Sequence, residues 1–159
     1  MTYAPALASL RQEASAIVGC ALSPRPDEAR KARSFTRETL AAWDLADLTD
    51  DAVVIVGELL TNAIRHAGPC RQGHDTGADA DAEDARLGLW LLRHGAGIMC
   101  VVTDHSDRAP ALRQPADTAE GGRGLHVVHS LSDHWGWTPL SALGTGAHGK
   151  AVWAILFRA

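Results

Sequence analysis

Cysteine is scarce in this chain. The three that occur, Cys20, Cys70 and Cys100, are an odd number with no C-x-x-C spacing. That excludes a disulfide framework and the common zinc-site spacings, and it predicts reduced thiols in a cytoplasmic protein. Long apolar runs are also missing. None reaches the roughly 20 residues that a membrane span needs, so no membrane association is expected. The opening Met1-Thr-Tyr-Ala-Pro lacks a basic region followed by an apolar stretch, so no signal peptide is expected either. A basic excess is absent: the net charge is -4 and the pI lies near 6.0, which argues against a general nucleic-acid binder. Arg25, Arg30, Lys31, Arg33 and Arg37 do cluster, but Ala29, Ala32, Phe35, Leu40 and Trp43 make the other face of the same helix. The basic residues therefore read as a solvated or partner-facing surface.

With 159 residues, 46% of them hydrophobic and 21% charged, the chain suits one globular domain with a real core. The first 14 or so residues read as a tail or short helix. Residues 15–22 are apolar, partly β-branched and stopped by Ser23-Pro24-Arg25-Pro26, which predicts a first strand. Amphipathic helices are predicted over 27–43 and 50–67. From 68 to 85 the chain is glycine-rich and acidic, with Asp75, Asp79, Asp81, Glu83 and Asp84. It lacks the turn glycine and distal glutamate of a calcium-binding loop, so a mobile acidic loop is expected. Two apolar runs, 86–93 and 97–103, flank His94-Gly95-Ala96 and predict a hairpin. After Asp104 comes an irregular segment containing Pro110 and Pro115. Gly121-Gly-Arg-Gly124 then opens a helix with Leu125, Val128 and Leu131 at helical spacing. Closing strands are predicted over 135–138 and 150–157, joined by a loop containing Gly144, Gly146 and Gly149. The order strand, two helices, hairpin, loop, helix, hairpin predicts an α+β fold: a two-layer sandwich, with helices on one face of a mixed, mostly antiparallel sheet. A βαβ dinucleotide unit is excluded, because the glycine-rich turn follows a loop and not directly a strand.

The most informative stretch is Glu58-Leu-Leu-Thr-Asn-Ala-Ile-Arg-His-Ala67. On a helix Val53, Val56, Leu60, Ala63, Ile64 and Ala67 share one face, while Glu58, Asn62 and His66 recur every fourth residue on roughly the opposite one. Ile55 and Leu59 fall within or beside that polar stripe, which resembles the floor of a pocket more than a solvated surface. The alternative is an ordinary amphipathic helix whose three polar residues happen to align. An amide oxygen such as that of Asn62 suits Mg²⁺, a hard cation that keeps waters and phosphates in its other positions. Glu58, one turn away, is placed to accept a proton. Asp104 ends an apolar strand and needs a donor, for which the exocyclic amine of adenine is a candidate. Gly122-Arg-Gly124 at a helix start offers free N–H groups to an anion.

Taken in this order, these residues resemble a Bergerat-fold (GHKL) ATPase of the small branch that contains the anti-sigma-factor serine kinases. Glu58-x-x-x-Asn62-x-x-x-His66 resembles its N-box and Asp104 the aspartate of its first glycine box. Gly122-Arg123-Gly124-Leu125 resembles its second glycine box, and Lys150-Ala-Val-Trp153 its last motif. The resemblance spans about 15–157 and implies a single ATP-binding domain with ATP and Mg²⁺ as cofactors. It implies that Glu58 is the general base and that Asn62 helps hold Mg²⁺. Asp104 would receive the adenine amine. His66, Gly122, Arg123, Gly124 and Leu125 would complete the nucleotide site, under an ATP lid at 105–121. It further implies a homodimer that phosphorylates a serine on an anti-anti-sigma partner and sequesters a sigma factor in the cytoplasm.

Several positions depart from that pattern. Ser106 stands where a glycine usually follows the aspartate by two residues. Ala119-Glu120-Gly121 stands where kinase members often carry an arginine, and Ala151 where a hydroxyl often follows the lysine. These departures favour an alternative: a catalytically weak or inactive module of the same fold that regulates a partner by nucleotide-sensitive contact. His126 and His129, with Asp133 beyond, have a zinc-like spacing but no further ligand, so surface or packing roles are expected. Trp135, Trp137 and Trp153 read as core and interface residues.

Overall fold

The computed structural model describes residue 9 and residues 11–66, 86–110 and 123–158. The expected loop at 68–85 and most of the expected lid, 111–121, lie outside the described residues, as do Cys70 and Gly122. Among the described residues the order is β1 (Ala16–Leu22), α1 (Glu28–Ala42), a 3₁₀ turn (Ala46–Leu48), α2 (Thr49–His66), β2 (Leu87–His94), β3 (Gly97–Asp104), α3 (Gly124–Leu131), β4 (His134–Pro139), a second 3₁₀ turn (Leu140–Leu143) and β5 (Lys150–Phe157). The five strands form one sheet in the order β1-β2-β3-β5-β4, with every neighbouring pair antiparallel. The expected α+β sandwich is what forms, with each element within about two residues of its sequence reading. The two 3₁₀ turns were not anticipated, because three or four residues carry no measurable period.

Local chemistry accounts for the boundaries. Pro24 and Pro26 cannot extend β1, and α1 follows with Ala, Arg, Lys and Glu, all good helix formers. It ends at Trp43 and Asp44, the latter at φ 58, where the Leu45 N–H bonds back to the Leu40 carbonyl at 2.9 Å. In α2, Asp50 and Asp51 occupy the first turn and Arg65 and His66 the last, which suits the helix dipole at both ends. Gly95, at φ 54, takes the first position of the two-residue β2–β3 loop, where tight hairpins need a glycine.

The main core lies between the helices and one face of the sheet. Leu40, Ile55, Val56, Leu59 and Leu60 meet Leu89, Ile98, Cys100, Val102 and Ala154 there, all buried. Ile55 and Leu59, the aliphatics beside the polar stripe, are core residues at 0% and 1% exposure. Arg30, Lys31, Arg33 and Arg37 are all exposed, as expected for the outer face of α1. The opposite sheet face carries a smaller apolar cluster of Leu92, Met99, Val101, Ala151, Trp153 and Ile155. Leu140 and Leu143 of the second 3₁₀ turn pack on it, and a cavity of about 220 Å³ opens beside Ile17 and Trp90. No described helix is long and apolar enough to cross a membrane.

Cys100 lies in the main core and Cys20 is half-buried on β1; no disulfide joins them. Burial pushes the Cys100 thiol up to about 12, and it raises Cys20 as well. The thiolate is the nucleophile, so a thiol held this high and out of solvent is inert. Native protein treated with iodoacetamide near pH 8 should carry no label on Cys100, and unfolding should expose it. Peptide mapping by mass spectrometry reads the difference; rapid native labelling of Cys100 would contradict its place in the core.

Candidate functional site

Strand parity sets the centre of the site. Ile98, Cys100 and Val102 point from β3 to the helices, so Asp104, two residues on, shares their side. On β5 the helix-facing residues are Leu156, Ala154 and Val152, and the next is Lys150. The antiparallel register pairs Asp104 with Lys150, which brings the two charges together at the end of adjacent strands. Lys150 Nζ donates to Asp104 Oδ1 at 2.8 Å and to the Ser106 carbonyl at 3.1 Å. The Ser106 N–H donates to the same Oδ1 at 2.8 Å. Both side chains are essentially sealed from solvent, at 0% and 1% exposure. Asp104 Oδ2, in contrast, is buried with no hydrogen-bond partner among the described residues. A buried acceptor left unmet costs about 1–3 kcal/mol, and more when it is charged. That oxygen calls for a donor.

The chain around the pair is closely fitted. Gly149 sits at φ 105, where a Cβ would lie 2.0 Å from the Asp104 carbonyl oxygen and 2.8 Å from His105 Cα. Its N–H donates to Asp107 Oδ1 at 2.8 Å, and His105 Nε2 lies 2.9 Å from the Arg86 carbonyl. The first residues of the expected lid are therefore tied to β5 and to the start of β2. Ser106 meets Asp104 and Lys150 through its backbone, while its Oγ accepts the Arg108 N–H at 3.3 Å. Among the described non-glycine residues only Asp44 has positive φ, so serine at this position carries no backbone strain.

The other side of the site comes from α2 and α3. Helix α2 packs on β3 and against α3. Its Glu58, Asn62 and His66 are half-buried along one line, at the edge of the core and not in open solvent. Glu58 reaches the start of α3: a Cβ on Gly124 would stand 2.6 Å from Glu58 Oε2. Arg123, just before α3, is exposed and makes no side-chain cap bond. Leu125 and Val128 are buried, and they hold α3 to the core. Leu125 thus supports the site from behind.

The predicted residues are brought together in two groups, Glu58 against Gly124 and Asp104 within its strand-end corner; Gly122 lies outside the described residues. Lys150 was quoted only as part of a motif, and sequence reasoning gave it no role. Its signal was there: a lone charge opening the otherwise apolar run Lys150–Phe157, directly after a glycine. No group of three or more His, Cys, Asp or Glu that could hold a metal exists among the described residues. The zinc-like spacing is used otherwise: His129 Nδ1 accepts from Trp135 Nε1 at 3.1 Å, and Asp133 Oδ2 accepts the Phe157 N–H at 2.8 Å. Mg²⁺ makes a smaller demand, since one or two protein oxygens suffice beside substrate phosphates. The half-buried Asn62 amide and Glu58 carboxylate are of that type.

The sequence model of the histidine kinase-like ATPase domain family matches residues 22–155, most of the chain. A search of curated proteins finds no match.

Two glycines of the site should respond differently to alanine. At Gly149 both the left-handed backbone and the approach of Asp104 oppose a Cβ, so Gly149→Ala should cost about 2 kcal/mol or more. At Gly124 the obstacle is the far end of a flexible glutamate, and alanine favours a helix over glycine by about 0.5–1 kcal/mol. Gly124→Ala should therefore leave the melting temperature within a few degrees of the parent while displacing Glu58. Calorimetric melting of the two variants checks the contrast, and equal losses would contradict it.

Proposed function

The chain belongs to the histidine kinase-like ATPase domain family, and on that footing we propose that it is an ATP-dependent serine-protein kinase of the anti-sigma type. A domain of this GHKL type binds ATP. The observation that carries the reading to residues is the unmet, buried Oδ2 of Asp104, at a strand end beside a helix bearing Glu58 and Asn62. Asp104 accepts the adenine amine through that oxygen. Gly122, Arg123 and Gly124 adjoin the phosphates at the start of α3, where glycine lets a ligand approach the backbone. Asn62 offers its amide oxygen to Mg²⁺, with His66 one turn further along the same line. Bound ATP with Mg²⁺ would supply an activated phosphoryl group. Glu58 takes the proton from a serine hydroxyl of an anti-anti-sigma partner. The kinase acts in the cytoplasm as a homodimer and also sequesters a sigma factor.

A second reading keeps the nucleotide and drops the chemistry: a regulator that grips its partner differently with and without ATP. Ala119-Glu120-Gly121 favours it, because no arginine stands immediately before the glycine box to meet a terminal phosphate, and Arg108, Arg113 and Arg123 are not aligned with that position. The two readings part at Glu58.

ADP or ATP with Mg²⁺ should raise the melting temperature by several degrees. Binding to the native state alone adds RT ln(1 + [L]/Kd), about 2.7 kcal/mol at a hundredfold excess over Kd. An unmoved melting curve at millimolar nucleotide would remove the nucleotide site. Glu58→Ala should abolish transfer of label from ATP to the partner while leaving ATP affinity nearly intact. Asn62→Ala should weaken the Mg²⁺-dependent part of binding. Regulation that persists in Glu58→Ala, with no phosphate transfer by the parent protein, would decide for the contact-only module.

A further inference from the structure

We infer that Lys150 sets which nucleobases Asp104 accepts, an inference that rests on the adenine reading above. The two oxygens of Asp104 are not equivalent. Oδ1 receives Lys150 Nζ and the Ser106 N–H, each at 2.8 Å. Oδ2 is buried and receives nothing from the described residues. Both groups at Oδ1 are donors without any acceptor capacity: an ammonium carries three N–H bonds, and a backbone N–H one. The atom at that place must therefore accept, whatever side chain occupies position 104. Its partner atom, Oδ2, is left as the one that meets a base.

Lys150 is itself held in place. Its side chain is fully buried, and its second bond to the Ser106 carbonyl at 3.1 Å fixes the ammonium over the same loop. Gly149, crowded against the Asp104 carbonyl, leaves the start of β5 no room to drift. A carboxylate oxygen accepts, and Oδ2 is the one that both protein donors leave open. It then welcomes a 6-amino purine and opposes a 6-oxo purine, whose ring presents an acceptor at the same place. Lys150 is in this sense a positioning residue: it touches no base, and it acts through Asp104.

Titration calorimetry with ADP and inosine diphosphate, each with Mg²⁺, tests this in three proteins. Wild type should prefer ADP by about tenfold or more. In Asp104→Asn the amide oxygen must face the two donors, which turns the NH₂ group to the base; the preference should reverse towards inosine diphosphate. In the double variant Asp104→Asn with Lys150→Met the amide keeps only the Ser106 N–H to orient it, and the two affinities should move back towards each other. A purely structural role for Lys150 would weaken both nucleotides alike and leave their ratio unmoved. Asp104→Asn weakening both equally, or the double variant keeping the ratio of the single one, overturns the inference. The double variant carries no unpaired buried charge, so it serves where the single variant does not fold. A wild-type preference retained in it is equally fatal. Wild type binding both diphosphates equally overturns the inference alone, whereas wild type binding neither removes the nucleotide reading and this inference with it.

Discussion

A lysine and an aspartate, both sealed from water, meet at the ends of two strands that lie 46 residues apart in sequence. Removing two charges from solvent costs several kcal/mol per ion, and their attraction returns that cost only when geometry and extra hydrogen bonds are good. Here the ammonium has two acceptors and the carboxylate oxygen two donors, so half of the arrangement is well met. The other half, Oδ2, is not. Apolar residues of equal volume would fill the same space without that defect, so bulk stability is a poor account of the pair. Its position is the better one: it joins the last residue of β3 to the first of β5 and pins the loop that follows Asp104.

From that corner the rest of the arrangement follows. The register of β3 on β5 carries the pairing along the sheet to Gly97 and Phe157. The helix-facing parity that buries Val102 and Val152 is the same parity that turns Asp104 and Lys150 inward. Helix α2 lies over this face with an apolar side sunk in the core. Its Glu58, Asn62 and His66 are left at the core's edge, so one helix is both a structural plate and one wall of the site.

The fold was legible because its helices and strands had a local pattern to read, which the two 3₁₀ turns did not. The 3.6-residue repeat of α2, the two apolar runs around Gly95 and the helix after Gly124 each declare themselves locally. The Glu58, Asn62 and His66 stripe was legible for the same reason. What escaped was non-local. Lys150 acquires its meaning from Asp104, and no periodicity connects positions so far apart. Ser106 looked like a departure from a glycine pattern, yet the site uses its N–H and carbonyl, which any residue supplies. Gly149 read as one glycine of a loosely joined loop, whereas steric crowding by Asp104 is what demands it. Ile55 and Leu59 were misleading in another way: they hinted at a pocket floor, but the aliphatics themselves belong to the core beneath it.

The close fit of Gly149 to Asp104 bears on how such a domain can be re-engineered or diversified. The connection before it, from Gly144 to His148, is exposed and lies outside the buried corner. Gly149 and Lys150 are buried, and they grip the Asp104 carboxylate, the Asp107 carboxylate and the backbone between them. A graft that transplants β5 without the chain after β3, or the reverse, would join two halves of a fastener cut from different patterns. The natural module for exchange in this protein is therefore a corner assembled from two distant pieces of sequence, which must be moved together.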